Sequence, residues 1–211
     1  MATTVFQIPT KLLFGVGTVE KVGKEAALLG KKALVVIGGS SAKKTGLLDR
    51  VTNDLKANGV EVTVFEGITP NPKASDVDAA GKTAAENDVD LIVGLGGGSV
   101  MDASKAIRLA YSSGQPVFDF YRGTADPKAV APKANLMLVA TMAATGSEFN
   151  NFSVVTEWES HEKRAIAPPI FFPATSVVDP ELTLSMPVDQ LAKGGVDIFL
   201  KPSLSEPGGL A

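Results

Sequence analysis

Two rhythms of apolar and polar positions alternate along most of this chain. A short continuous apolar run, followed by apolar positions three and four apart, recurs through the first 110 residues. Residues 32–37 (KALVVI) show the first rhythm and predict a buried strand. Leu47, Leu48, Val51 and Leu55 show the second and predict a helix that stops at Gly59. The β-branched run at 61–65 is the next strand, and Pro70-Asn71-Pro72 is a turn. An alanine-rich helix follows over 74–87, then a strand at 91–95 and a helix opening after Gly96-Gly97-Gly98-Ser99. Upstream, TVFQI and KLLF flank Pro9 as an opening strand pair, and Val19, Val22, Ala26 and Leu29 keep helical spacing.

Downstream the pattern weakens. Serines, glycines and prolines between 112 and 135 predict an irregular connection, and 136–140 restores a strand. Residues 152–156 predict another strand, 157–164 (EWESHEKR) a charged turn, and 176–178 a last short strand. Asp179-Pro180 suits a helix cap with proline in the first helical position. A helix begins near Pro187 and runs across Gly194-Gly195, and the end, KPSLSEPGGLA, reads as irregular. Three β-α units in succession predict an α/β fold. It is a Rossmann-like, doubly wound, mostly parallel sheet with helices on both faces.

Composition changes the picture by exclusion. The 211 residues suffice for one sizeable domain, or one domain with an appendage. Net charge is −3, with one tryptophan, two tyrosines and no basic cluster, so a nucleic-acid surface is not expected. No cysteine occurs, which excludes disulfide and thiolate chemistry and fits a reducing, cytoplasmic setting. MATTVFQIPT lacks the basic head and apolar core of a secretory signal, and no apolar segment is long enough to predict a membrane span.

Candidate chemistry concentrates on VGLGGGSVMDASKAI. Gly97 and Gly98 let a ligand approach the backbone, Ser99 is a good N-cap, and the first-turn amides beyond it form an anion site suited to a pyrophosphate. Asp102 either caps amides or accepts a hydrogen bond from a ribose or a carboxamide. Gly38, Gly39, Ser40 and Ser41 follow an earlier strand, where an adenosine end would lie. No acidic residue stands at that strand end to bind a ribose 2′-hydroxyl, and Lys43 and Lys44 are close by, so NADP(H) is favoured over NAD(H). Thr141 and Thr145 follow the strand at 136–140 as short-range donors or ordinary turn caps, and Ser147 and Glu148 as helical-turn caps. Lys163 reads as a surface charge, as does His161, the single histidine. Asp197 in GGVDIF reads as a cap or a solvated group.

These residues together resemble the iron-containing, or group III, alcohol dehydrogenase family. The resemblance runs from PTKLLFG through GGSSAKKTGLLDRV, ITPNPK, VGLGGGSVMDASKAI, MAATGSE and VVDPELTLSMP to GGVDIF. The GGSSAKKTGLLD form is similar to the butanol-dehydrogenase or aldehyde-reductase branch. The resemblance implies a dinucleotide domain over 1–180, and over 181–211 the truncated start of a helical, metal-binding second domain with an irregular tail at 202–211. It implies hydride transfer between NADP(H) or NAD(H) and an alcohol or aldehyde, with Fe²⁺ or Zn²⁺ polarising the substrate oxygen. It places Gly97, Gly98 and Ser99 on the pyrophosphate and Asp102 near the nicotinamide. Gly38 and Ser40 fall at the adenosine end, Thr141 and Thr145 beside the cofactor, and Lys163 by its ribose. Asp197 matches a metal-binding aspartate.

The departures follow that aspartate. The family pattern has a histidine four residues on, where this chain has Lys201, and Pro202 is expected to break the helix. The further metal histidines of the helical domain have no counterpart in a chain with one histidine. The expectation is a dinucleotide-binding portion without turnover by itself, forming homo-oligomers through exposed apolar surface. A non-enzymatic binding or self-assembling fragment is the alternative, and a phosphosugar-binding domain a third.

Overall fold

The computed structural model describes residues 8–204, with side chains through Phe199. Strands β1 (Lys11–Phe14), β2 (Lys32–Ile37), β3 (Glu61–Phe65), β4 (Leu91–Gly96), β5 (Asn135–Ala140) and β8 (Thr175–Val178) form one sheet in the order β1-β8-β5-β4-β2-β3. All five pairings are parallel. Between the last two of these, β6 (Ser153–Glu157) and β7 (Glu162–Ile166) make a separate antiparallel hairpin. The helices are α1 (Val22–Ala27), α2 (Ser41–Lys44), α3 (Leu47–Ala57), α4 (Ala74–Glu86), α5 (Gly98–Ser113), α6 (Val117–Arg122) and α7 (Val188–Leu204). This is the Rossmann-like parallel α/β architecture, with helical structure following the last strand.

The apolar runs are continuous because both faces of the sheet are covered. Alternate side chains of β2 divide between two cores. Ala33, Val35 and Ile37 join Val22 and Ala26 of α1 and Leu48, Val51 and Leu55 of α3. Leu34 and Val36 join Val77 and Ala80 of α4, Met101 and Ile107 of α5, and Phe118 of α6. The chain passes from β2 outward to β3, then returns to β4 on the other side of β2. The segments leaving β2 and β4 therefore diverge toward opposite faces and open a crevice at the carboxyl edge.

Helix α5 fills the space under the sheet, and glycine lets it lie close. A Cβ at Gly94 in β4 would stand 2.5 Å from Ser104 Oγ and 2.8 Å from Leu138 Cδ2. Asp179, fully buried, closes the far end by accepting from the Val19 and Glu181 amides at 3.1 Å each. What it caps is a 3-10 turn at Pro180–Thr183, and the long helix starts later.

Several expectations are corrected. The helix expected from Val19 opens as a 3-10 turn at Thr18–Lys21 before α1. The connection at 112–135 contains α6, with Pro116 in its capping position and Gly123 ending it at φ 79°. Six residues are too few for a 3.6-residue period to register. The charged turn at 157–164 is instead the tip and second strand of the β6–β7 hairpin, charged because Lys163 and Arg164 face solvent. Helix α7 passes Pro202 and reaches Leu204. Proline has no N–H to offer its turn, yet helical backbone persists for two residues beyond it. TVFQI, apart from Ile8, and the tail at 205–211 lie outside the described residues. No helix among the described residues is long and apolar enough to cross a membrane.

Gly94→Ala must displace Ser104 and Leu138. It should cost about 1–3 kcal/mol of stability, read as a lower denaturation midpoint. An unchanged midpoint would contradict the close α5–β4 packing.

Candidate functional site

The crevice is a cleft of about 380 Å³ at the carboxyl ends of β2, β4 and β5. Gly38, Gly97, Gly98, Ser99 and Thr141 line it, and Leu182, Met186 and Gln190 form the opposite lip. Gly97 occupies the capping position of α5 with φ −86° and ψ −168°, and no side chain caps this helix. The expected Ser99 cap is thus corrected: the helix begins one residue earlier, at Gly98, and Ser99 lies within its first turn. Met101 N donates to Gly97 O at 3.1 Å and starts the ladder. The amides before it have no intrahelical acceptor, and they sit at the positive end of a 16-residue helix, facing the cleft.

The walls around this turn are drawn in by missing side chains. A Cβ on Gly98 would meet Thr145 Cγ2 at 2.5 Å, so Thr145 lies directly over the start of α5. A Cβ on Gly38 would be 3.2 Å from Ile68 O and 3.3 Å from Val100 Cγ2. Thr141 N donates to Gly96 O at 3.1 Å, which brings the end of β5 beside the glycines. A flat, extended phosphate-bearing ligand fits such a glycine-walled slot.

Asp102 does not line the cleft. Its Oδ1 accepts from Ser147 Oγ at 2.6 Å and its Oδ2 from Val154 N at 3.1 Å, so it ties α5 to β6 and caps no amide of its own helix. Burial pushes its carboxyl up, opposed by Ser147, Lys105 and the Val154 amide. Lys105, wholly buried, donates to Ser147 Oγ (2.8 Å), Asn150 Oδ1 (3.1 Å) and Phe152 O (2.8 Å). Burial lowers its ammonium to about 8, against the pull of Asp102 and Glu148. Arg108 continues the series, donating to the carbonyls of Ala134 and Ile170 at 2.7 Å each. Neither cation was singled out from the sequence. Their signal is the spacing 102, 105, 108, which aligns three charges on one face of a helix otherwise apolar all round.

The remaining candidates scatter. Ser40 is exposed at the start of α2, while its neighbours Gly39 and Ser41 line the cleft. Lys43, which does not line the cleft, is paired with an acid, Glu66, just beyond β3. That acid follows the neighbouring strand, which is why a search along β2 alone passes it by. Lys163 is exposed on β7 and donates to Asn71 Oδ1 at 2.7 Å. His161 is exposed at the hairpin tip. Asp197 is exposed on α7. Gly194 of the same helix abuts the site's loop, its Cβ position being 3.4 Å from Ala144 Cβ. Among the described residues no three His, Cys, Asp or Glu side chains are grouped to hold a metal.

A parallel sheet with an uncapped, glycine-led helix at its switch point is an α/β arrangement suited to an anionic, phosphate-bearing ligand. The chain belongs to the iron-containing alcohol dehydrogenase family, whose model matches residues 9–180. It is 37% identical over 199 residues to a probable NADH-dependent butanol dehydrogenase 2 of Bacillus subtilis, covering 94% of this chain and 50% of that protein. It is 34% identical to the NADPH-dependent aldehyde reductase YqhD of Escherichia coli, covering 91% and 49% respectively. The crystal structure of NADH-dependent butanol dehydrogenase A from Thermotoga maritima superimposes with a TM-score of 0.87 at 34% identity, covering 93% of this chain and 49% of that one. The chain spans about half the length of these relatives.

Lys105 gives stability a defined pH dependence. Its ammonium titrates near 8 when folded and near its ordinary 10.5 when unfolded. Between those values the unfolded chain holds more protons, so this residue makes stability rise with pH, at up to ~1.4 kcal/mol per pH unit. Below pH 8 the cost of burying the charge is felt in full. Unfolding free energies of wild type and Lys105→Met measured from pH 7 to 10 should therefore diverge above pH 8, in favour of the wild type. A constant difference would contradict the depressed ammonium.

Proposed function

We propose that this chain is the dinucleotide-binding portion of an NAD(P)-dependent alcohol dehydrogenase or aldehyde reductase. The observation that carries this is the bare amino end of α5 facing the cleft between β2 and β4. The first-turn amides at Gly98 and Ser99 take the pyrophosphate, and Gly97 admits it against the backbone. Gly38 and Ser40 flank the adenosine end. Thr141 and Thr145 stand beside the cofactor, Lys163 by its ribose, and Asp102 near the nicotinamide side but behind the cleft wall, bonded to Ser147 and Val154. When bound, the nicotinamide supplies a hydride to the carbonyl carbon of an aldehyde or recovers it from an alcohol. The protein's own part is to hold the phosphates, exclude water with the Met142 and Met186 walls, and present one face of the ring. A chain with no cysteine fits a cytoplasmic setting.

Cofactor choice turns on Lys43 and Glu66. Lys43 favours a 2′-phosphate and Glu66 opposes one, while both are about half exposed and so weakly bound to each other. The preference for NADP(H) expected from the lysines is thereby reduced, and the site takes either dinucleotide. Names among the relatives divide in the same way, between NADH- and NADPH-dependent enzymes.

The residues present do not fit the Fe²⁺ or Zn²⁺ centre that the resemblance implies. Among the described residues no three His, Cys, Asp or Glu side chains are grouped to hold an ion, Asp197 being exposed on α7, and the sequence has one histidine. We therefore assign no hydride transfer to the chain by itself. Val188, Leu191, Val196, Ile198 and Phe199 are all exposed on α7, which favours homo-oligomers.

Fluorescence titration should show NADH and NADPH binding, weakened at least about tenfold by Gly98→Ala, whose methyl drives Thr145 off the phosphate turn. Equal binding by the variant would overturn the site. Butanal with NADPH and excess Fe²⁺ or Zn²⁺ should give no turnover above blank, and metal-dependent turnover would refute the assignment of no activity. Sedimentation velocity should show concentration-dependent association that Phe199→Asp reduces; monomer at every concentration would refute the oligomer.

A further inference from the structure

Lys105 is placed where an ordinary core helix would carry leucine. It is wholly buried, and a buried ammonium costs several kcal/mol unless its donors are used. Each of its three N–H groups has an acceptor, and all three acceptors belong to one short stretch: Ser147, Asn150 and Phe152. That stretch has no strand or helix ladder of its own, and Ala144 at its start adopts φ 105°, a conformation L-residues rarely take. One further anchor is the Ser176 hydroxyl, which donates to Glu148 O at 2.5 Å.

The connection then returns to the start of the same helix. Ser147 Oγ accepts from Lys105 and donates to Asp102 Oδ1 at 2.6 Å, so its hydroxyl is fixed from both sides by α5. The Ser147 amide donates to Thr145 Oγ1 at 3.3 Å. Thr145 in turn lies against Gly98, where a Cβ would be 2.5 Å from its methyl. From this geometry we infer that Lys105 is a positioning residue for dinucleotide binding. It latches the 145–152 segment onto α5, so that Thr145 is held over the phosphate-seating turn. The inference rests on the dinucleotide reading of the cleft. A residue serving only to balance the charge of Asp102 would need one contact, whereas here three converge on the loop.

The test is Lys105→Met, which keeps the aliphatic stem and removes the donors. Circular dichroism establishes that it folds, and titrations with NADH and with AMP read the site. NADH should weaken by about fivefold or more, the equivalent of one lost hydrogen bond. AMP, which reaches from the Gly38 side only as far as the first phosphate, should change less than twofold. Hydrogen exchange at 145–152 should quicken more than in β4. A folded variant with unchanged NADH affinity overturns the latch, as does equal weakening of both ligands, the mark of general destabilisation. If Lys105→Met does not fold, Ser147→Ala cuts the relay while leaving the bonds to Asn150 and Phe152, and the same selective loss is expected. A wild-type chain that binds no NADH overturns the dinucleotide reading; a wild type that binds it while both variants bind equally well overturns the latch alone.

Discussion

The amino end of α5 is the constraint around which the rest is arranged. A helix of 16 residues collects its peptide dipoles at one point, and at that point no side chain answers them. Such an end is stable only if solvent or a ligand completes it. The sheet order delivers it to the crevice where β2 and β4 part company, and glycines at 97 and 98 keep the approach clear. Nearly every other feature of the molecule either places this helix or shapes the space in front of it.

Placement comes from below and shaping from beside. Gly94 allows α5 to sink onto β4, and Arg108 gathers the carbonyls of Ala134 and Ile170 at the helix's far end. Asp102 and Lys105 reach sideways to the 145–154 stretch and fasten it. The charges inside this helix are therefore structural cement directed at a loop. Buried charges of this kind are costly, and they are tolerated because the three Lys105 donors and both Asp102 oxygens have partners. Glu148 departs from that rule: its Oε2 is buried with no hydrogen-bond partner, close enough to Lys105 to pull on its ammonium.

Where the chain's period was strong, the fold was legible. KALVVI and the strand before the triple glycine are buried on both faces, so burial wrote itself directly into composition. The glycine turn was legible for the same reason, since few other settings require three glycines between a strand and a helix. Short elements were not. VFDFYR is a six-residue helix between a proline and a glycine, and EKRAI is a strand whose charge reflects exposure. Partners remote in sequence were also hidden. Glu66 follows β3 while Lys43 lies on α2, and nothing in the sequence around Lys105 points to the loop it holds. The family resemblance supplied what period could not, and the match over residues 9–180 bears it out.

The account's central claim concerns four peptide groups, and amide chemical shifts report on them directly. In a ¹⁵N-labelled sample titrated with NADPH, the largest perturbations should fall on the amides of residues 97–100, with smaller ones at Gly38, Gly39 and Thr141. Saturation of the titration with those four amides unmoved, or with the main perturbations on the opposite edge of the sheet, would contradict it.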